Sequence, residues 1–100
     1  MADLLSQEEI DVALSTLPGW SYERDRLVRV VDVPEDRRDN LERGVMEVAD
    51  EMDHHPVISG EGGSMRFEVW SHSAGGVTAK DVDLVARIDQ VLSGTVHESE

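Results

Sequence analysis

The stretch LERGVMEVADEMDHHPVISGEGGSMRFEVWS, residues 41–71, decides the fold because its apolar residues change period partway along it. In the first part of the stretch, apolar residues recur at helical spacing and form one stripe: Leu41, Val45, Val48, Ala49 and Met52. Alternation follows, with Met65, Phe67 and Val69 on one face of a strand and Arg66, Glu68 and Trp70 on the other. Because helices and strands have these two different periods, the stretch predicts a helix followed by strands.

The change of period falls at His54-His55-Pro56. A residue that precedes proline disfavours the helical conformation, so the helix is expected to end there. Val57 and Ile58 then begin a third strand, residues 60–64 form a flexible turn, and residues 65–71 form a fourth strand. Two adjacent histidines are therefore expected at a helix-to-strand junction.

Towards the N-terminus, Ser6 and Glu9 have the spacing of a capping box at the start of a first helix. Apolar residues at helical spacing follow, and Pro18-Gly19 is expected to stop the helix. Two short strands are predicted between Trp20 and Val33, joined by a turn at residues 23–26. Trp20 is expected to be a core residue.

Towards the C-terminus, Gly75-Gly76 predicts a turn, and Thr78 with Asp81 three residues later predicts the start of a third helix. The apolar side of that helix is expected to comprise Val82, Val85, Ala86 and Leu92, with Ile88 at its margin. Residues from about 94 onwards form a polar tail, in which His97, Glu98 and Glu100 are expected to be solvated.

This order of elements predicts an α+β fold in two layers, with helices on one face of an antiparallel four-stranded sheet. The pattern is helix, two strands, helix, two strands, helix. The length of 100 residues suits one domain spanning residues 1–100, because nothing in the sequence suggests a linker or a repeat.

The net charge of −13 limits the classes of partner that the protein can bind. A surface this acidic repels phosphate, so nucleic acid and anionic membranes are not expected as partners. With no cysteine there can be no disulfide or thiolate chemistry, and with neither a long apolar run nor a basic, apolar N-terminus we expect a soluble cytoplasmic protein. Lys80 is the only lysine among nine basic residues, which suits either a halophilic source or a genome that favours arginine codons.

The candidate residues for acid–base chemistry are His54, His55 and His72. Antiparallel pairing of the third and fourth strands would bring His72 back towards the adjacent pair, and imidazole is suited to proton transfer near neutral pH. Histidines at a helix end can instead simply interact with the helix dipole, and spacing leaves both interpretations open. A metal site is not expected, because no HExxH pattern is present and adjacent side chains diverge.

Several motifs together resemble the signature of the pterin-4a-carbinolamine dehydratase family. They are Asp50-Glu51-Met52-Asp53-His54-His55-Pro56, Ser71-His72, Gly75-Gly76-Val77-Thr78 and Asp81, with Leu17-Pro18-Gly19-Trp20 upstream and Leu84-Val85-Ala86-Arg87-Ile88-Asp89 downstream. The match covers nearly the whole domain. The ordered set of motifs is much more specific than His-His-Pro alone.

The resemblance implies dehydration of 4a-hydroxytetrahydropterin to quinonoid dihydropterin in tetrahydrobiopterin recycling, with no metal ion and no redox cofactor. By resemblance, His54 and His72 are the proton-transfer residues, and His55 binds and orients the pterin. Asp81 would hold a histidine or contact the substrate, and Asp50 would orient His54. The resemblance also implies a homo-oligomer, either a dimer or a tetramer, whose association we expect to depend on salt.

The chain departs from the family at Gly62-Gly63-Ser64, where relatives usually carry an aromatic residue. Phe67 or Trp70 could replace that side chain, although a core residue and a half-exposed strand residue are the simpler interpretations. Two alternative functions follow. The chain could be a non-catalytic relative that assists assembly or dimerisation of a protein partner, or it could dehydrate a molybdopterin-like pterin.

Overall fold

Three helices and a four-stranded antiparallel sheet form the computed structural model, which describes residues 3–97. The elements are α1 (Gln7–Leu14), β1 (Ser21–Glu23), β2 (Arg26–Asp32), α2 (Glu35–Met52), β3 (Val57–Glu61), β4 (Ser64–Val69) and α3 (Ala79–His97). The strand order is β1-β2-β4-β3, and all three pairings are antiparallel. The predicted α+β architecture is therefore confirmed.

The start of α1 is the predicted capping box. The Ser6 hydroxyl accepts a hydrogen bond from the Glu9 backbone N–H at 3.1 Å, and the Glu9 carboxylate accepts one from the Ser6 N–H at 2.8 Å. The helix ends at Leu14, before Pro18, and Leu17 is buried beyond it. The prediction that Pro18 stops the helix was wrong, because the chain leaves the helix at residues 15 and 16, whose hydroxyls and N–H groups bond to carbonyls of the last turn.

Both hairpins have tight turns. Arg24 and Asp25 join β1 to β2 with φ angles of 51° and 66°, a backbone that matches the twist of a two-residue hairpin. In the second hairpin only Gly62 and Gly63 form the turn, and β3 and β4 pair up to it. The prediction of a flexible turn over residues 60–64 was therefore wrong at its ends, because Glu61 pairs with Ser64.

The core lies between the helices and one face of the sheet, here called the inner face. Its buried residues include Leu27, Phe67 and Val69 from the sheet, Leu41, Val45 and Ala49 from α2, and Leu84, Val85, Ile88 and Leu92 from α3. Trp20 is buried as predicted, and its indole N–H donates to Asp89 at 2.8 Å.

Two predictions about α3 were wrong. Ile88 is fully buried rather than marginal, whereas Ala86 is exposed, because the helix faces both α2 and the sheet and so buries a wider stripe centred on Leu84 and Ile88. The helix also continues beyond Ser93 to His97. Glu98 and Glu100 lie outside the described residues.

The opposite face of the sheet, here called the outer face, carries a line of charged contacts. Glu68 accepts hydrogen bonds from Arg26 at 2.6 Å and from Arg66 at 2.9 Å, and Arg66 also reaches Glu23 at 3.4 Å. Hydrogen bonds from Arg66 and then Arg26 lower the pKa of the Glu68 carboxyl below its ordinary value of 4.5.

Within residues 3–97, no helix combines the length and apolar character that a membrane crossing requires.

Removing methyl groups from the core should cost far more stability than removing them from the surface. Val85, on α3, is 0% exposed, and Val12, on α1, is 65% exposed. Val85→Ala should lower the free energy of unfolding by about 2 kcal/mol, because it removes buried methyl groups and leaves a cavity. Val12→Ala, the matched control, should change it by less than about 0.5 kcal/mol. Urea denaturation measures both, and equal losses would contradict this placement of the core.

The ion pairs of Glu68 should make stability depend on pH in a defined direction. Because the folded-state pKa is lowered, the pairs stabilise the fold above pH 4.5 and lose that effect as the pH falls through the folded pKa. Glu68→Gln should therefore be less stable than the wild type at pH 7, by about 1 kcal/mol or less. The difference should shrink on acidification. Urea midpoints between pH 7 and pH 3 measure it, and a difference that grows with acid would contradict the assignment.

Candidate active site

The two histidines of the helix-to-strand junction have different carboxylate partners. α2 is closed by Asp53, which adopts the left-handed conformation with φ 53°, and the His54 N–H donates to the Ala49 carbonyl at 3.0 Å. Three residues after His54, Val57 begins β3 and pairs with Glu68. His54 turns towards the buried Asp81 of α3, and His55 turns towards the exposed Asp50 of α2.

His54 is held by a buried carboxylate. Its Nε2 hydrogen-bonds to Asp81 Oδ1, and the two side chains are 13% and 0% exposed. The second oxygen, Asp81 Oδ2, accepts from the Thr78 N–H at 2.8 Å, the Ser71 hydroxyl at 2.9 Å and the Thr78 hydroxyl at 3.3 Å. A carboxylate that accepts on both oxygens fixes the orientation of the ring, as in the aspartate–histidine pairs of many enzymes.

The same carboxylate begins α3. Thr78 directly precedes the helix, and the bond from its N–H to Asp81 is one half of a capping box. Sequence spacing predicted this relation between the two residues. It did not predict that Ser71 also bonds to Asp81, although the sequence contains a signal for this contact. Ser71 continues the inward alternation of Met65, Phe67 and Val69, and a polar side chain facing a core needs a hydrogen-bond partner.

His55 is held at the surface. Its Nε2 lies 2.7 Å from Asp50 Oδ1, and the side chains are 45% and 72% exposed. The expectation that Asp50 orients His54 was therefore wrong. The left-handed turn at Asp53 directs His54 towards α3 and leaves His55 above the last turn of α2, where Asp50 lies.

His72 begins the turn after β4. The backbone is fixed there, because the Ser71 N–H donates to the Gly76 carbonyl at 2.8 Å and the Gly75 N–H donates to the Ser71 carbonyl at 2.9 Å. The imidazole is exposed, and its ring centroid lies 4.4 Å from that of Trp70 at an interplanar angle of 36°. Sequence reasoning did not find this contact, because it interprets Trp70 as a half-exposed strand residue, whereas β4 ends before it, at Val69.

These contacts bring the three predicted histidines to one end of the sheet. Ser71 bonds to the carboxylate that holds His54, and His72 is the next residue along the chain. Imidazoles can both accept and donate protons, so the arrangement can perform acid–base chemistry. Among residues 3–97, no group of three or more histidine or carboxylate side chains is arranged to hold a metal ion.

Comparison with known proteins gives one consistent result. A family model described as "Pterin 4 alpha carbinolamine dehydratase" matches residues 3–91. A protein of Mycolicibacterium smegmatis named "Putative pterin-4-alpha-carbinolamine dehydratase" is 40% identical over 92 residues, which cover 90% of this chain and 97% of the relative. A protein of Sulfolobus acidocaldarius with the same name is 35% identical over 89 residues, covering 87% and 97%.

A solved structure supports the same fold. A crystal structure from Brucella melitensis, described as "transcriptional coactivator/pterin dehydratase", superposes with a TM-score of 0.84 over 89% of this chain and 98% of the other. The sequence identity of 22% makes this a likeness of fold. Together with the family model and the relatives, these matches show that the chain belongs to the pterin-4-alpha-carbinolamine dehydratase family.

Proposed function

We propose that this protein dehydrates 4a-hydroxytetrahydropterin to quinonoid dihydropterin by histidine acid–base catalysis. The observation that carries the proposal is the His54 imidazole held by the buried Asp81 carboxylate, to which Ser71, the neighbour of His72 in the chain, also bonds. A carboxylate is costly to bury, and one that holds a partly exposed imidazole suits a site that moves protons.

The reaction needs one proton to be given and one to be taken. The bond between C4a and its hydroxyl group breaks, and the hydroxyl leaves as water once it has been protonated. A ring nitrogen loses its proton to a base, and the freed electron pair forms the new double bond. The step is not a redox reaction, so an acid and a base are sufficient.

The contacts of His54 favour the role of base. In the neutral tautomer that donates its Nε2–H to Asp81, His54 keeps a lone pair on Nδ1. That nitrogen can accept a proton, and the carboxylate lies where it can stabilise the resulting charge. His72, whose imidazole is exposed and can be reprotonated from water, is then the acid that releases the hydroxyl.

His55 and Asp50 suit binding rather than proton transfer. Both side chains are well exposed, and their hydrogen bond of 2.7 Å gives the ring a preferred orientation at the outer rim of the site. We infer that His55 orients the pterin and that Asp50 orients His55. On this proposal the protein acts in the cytoplasm in tetrahydropterin recycling. Assembly into a dimer or tetramer stays a prediction.

A second candidate is a role in binding a protein partner, which the description of the Brucella melitensis protein as a coactivator favours. Such a role does not require a histidine held by a buried aspartate. The Asp81–His54 pair is therefore the feature that favours the dehydratase.

Single histidine substitutions should divide into two kinds. His54→Ala and His72→Ala should each lower kcat roughly 100-fold or more, because each removes a proton-transfer group. His55→Ala should mainly raise KM, because it removes binding that is equal in the ground and transition states. The decay of 4a-hydroxytetrahydropterin is followed by stopped-flow ultraviolet absorbance.

His97→Ala, which removes the remaining histidine of the chain, is the matched control and should leave both constants unchanged. A folded wild-type protein that does not accelerate the decay would overturn the dehydratase and leave the partner-binding role as the better account.

The two aspartates should differ in what they support. Asp81→Asn disturbs a buried carboxylate with several donors, so it should lower kcat and also the free energy of unfolding, by about 1–3 kcal/mol. Asp50→Asn changes an exposed pair and should alter stability by less than about 0.5 kcal/mol, with its effect confined to KM. Urea denaturation and steady-state kinetics on both variants check this, and equal effects on stability would contradict it.

A further inference from the structure

We propose that Trp70 is a positioning residue that holds the His72 imidazole for proton transfer, and that Arg26 fixes Trp70 in turn. This inference rests on the proposed dehydratase function, in which His72 is the acid, and it identifies the side chains that hold the His72 ring in place.

His72 needs such a support because its backbone and its ring are fixed to different degrees. The turn hydrogen bonds of Ser71 and Gly75 set the backbone, but they leave the exposed imidazole free to rotate. His54 and His55 each have a carboxylate partner. Across residues 3–97, the contact that the structure records for the His72 ring is the stack on Trp70, with 4.4 Å between centroids.

Trp70 lies one residue beyond the end of β4 at Val69, so the hydrogen bonds of the sheet do not hold it. Its ring therefore needs a contact of its own. The guanidinium carbon of Arg26 lies 4.0 Å from the centroid of the Trp70 ring, which is within the range of a cation–π contact. Arg26 is the first residue of β2, whose ladder with β4 extends to the pair Leu27 and Val69. The contact therefore lies at the end of the sheet, immediately beyond the last paired residues.

Arg26 is itself held by the charged contacts of the outer face. Its Nη1 donates to Glu68 at 2.6 Å, and Glu68 also accepts from Arg66 at 2.9 Å. A continuous series of contacts thus runs from three strands of the sheet to the imidazole. The members of the series are Glu23, Arg66, Glu68, Arg26, Trp70 and His72.

An aromatic support differs from a carboxylate in its chemical effect. A carboxylate engages one ring nitrogen of a histidine, whereas a stacked indole engages the face of the ring. Stacking therefore orients His72 while leaving both of its nitrogens able to exchange protons with the substrate and with water. It also adds no negative charge where a hydroxyl must depart.

The test uses Trp70→Ala, Trp70→Phe and Arg26→Met in the full-length protein. Trp70→Ala should lower kcat roughly tenfold, because misplacing an acid affects the chemical step, and it should change KM by less than about threefold. Trp70→Phe keeps a stacking ring and should restore most of the rate. Arg26→Met keeps a side chain of similar length without charge and should have an intermediate effect. Val12→Ala, at an exposed position of α1, which contributes no member of the series, is the control and should behave like the wild type.

A spectroscopic readout separates positioning from activity. The ring protons of His72, assigned by their disappearance in His72→Ala, should shift in the NMR spectrum when Trp70→Ala removes the ring current of the indole. They should move much less in Val12→Ala.

Two results would overturn the proposal: an active wild type whose kcat is unchanged by Trp70→Ala, or His72 resonances that do not move. An inactive wild type would overturn the dehydratase function instead. The NMR shift distinguishes the two failures, because it reports on the contact between the rings without any turnover.

Discussion

The carboxylate of Asp81 is the group on which the rest of the structure depends. It is fully buried, and an unpaired charge at such a position would be prohibitively costly. Hydrogen bonds from Thr78, Ser71 and His54 satisfy it. Because these partners come from the start of α3, the end of β4 and the end of α2, one side chain joins the three segments that form the site. Its place in the first turn of α3 also suits a negative charge, since the helix dipole is positive there.

The three histidines illustrate different degrees of constraint. His54 is part of the folded interior, and its orientation is set by the same bonds that begin a helix. His55 is set by a carboxylate at the surface, and His72 by an aromatic ring at the edge of the sheet. The orientation of the histidine side chains is thus restricted most for the partly buried His54 and least for the exposed His72. This order suits a reaction in which one group must be placed accurately and others must meet a substrate arriving from water.

Much of this arrangement could be predicted from sequence because it depends on local rules. The capping box at Ser6, the turn at Arg24 and Asp25 and the helix start at Thr78 each involve residues close together in the chain, and the apolar periods of residues 41–71 define the elements that carry the histidines. The partners of the histidines were harder to predict. Whether Asp50 meets His54 or His55 depends on the conformation of Asp53, and residue preferences do not determine that conformation. The contacts of Trp70 depend on which strands become neighbours in the sheet, because Arg26 is distant in sequence.

The dual role of Asp81 has a consequence for how this fold can change during evolution. On the proposed function, a lineage that loses catalysis can discard the exposed His72 at little cost to folding, but it cannot easily discard a buried carboxylate that begins a helix. Drift towards a purely binding role should therefore erase His72 first and retain Asp81 longest. A relative that keeps only the aspartate would retain it for folding after its activity is lost. The presence of that residue alone would therefore be a poor guide to activity.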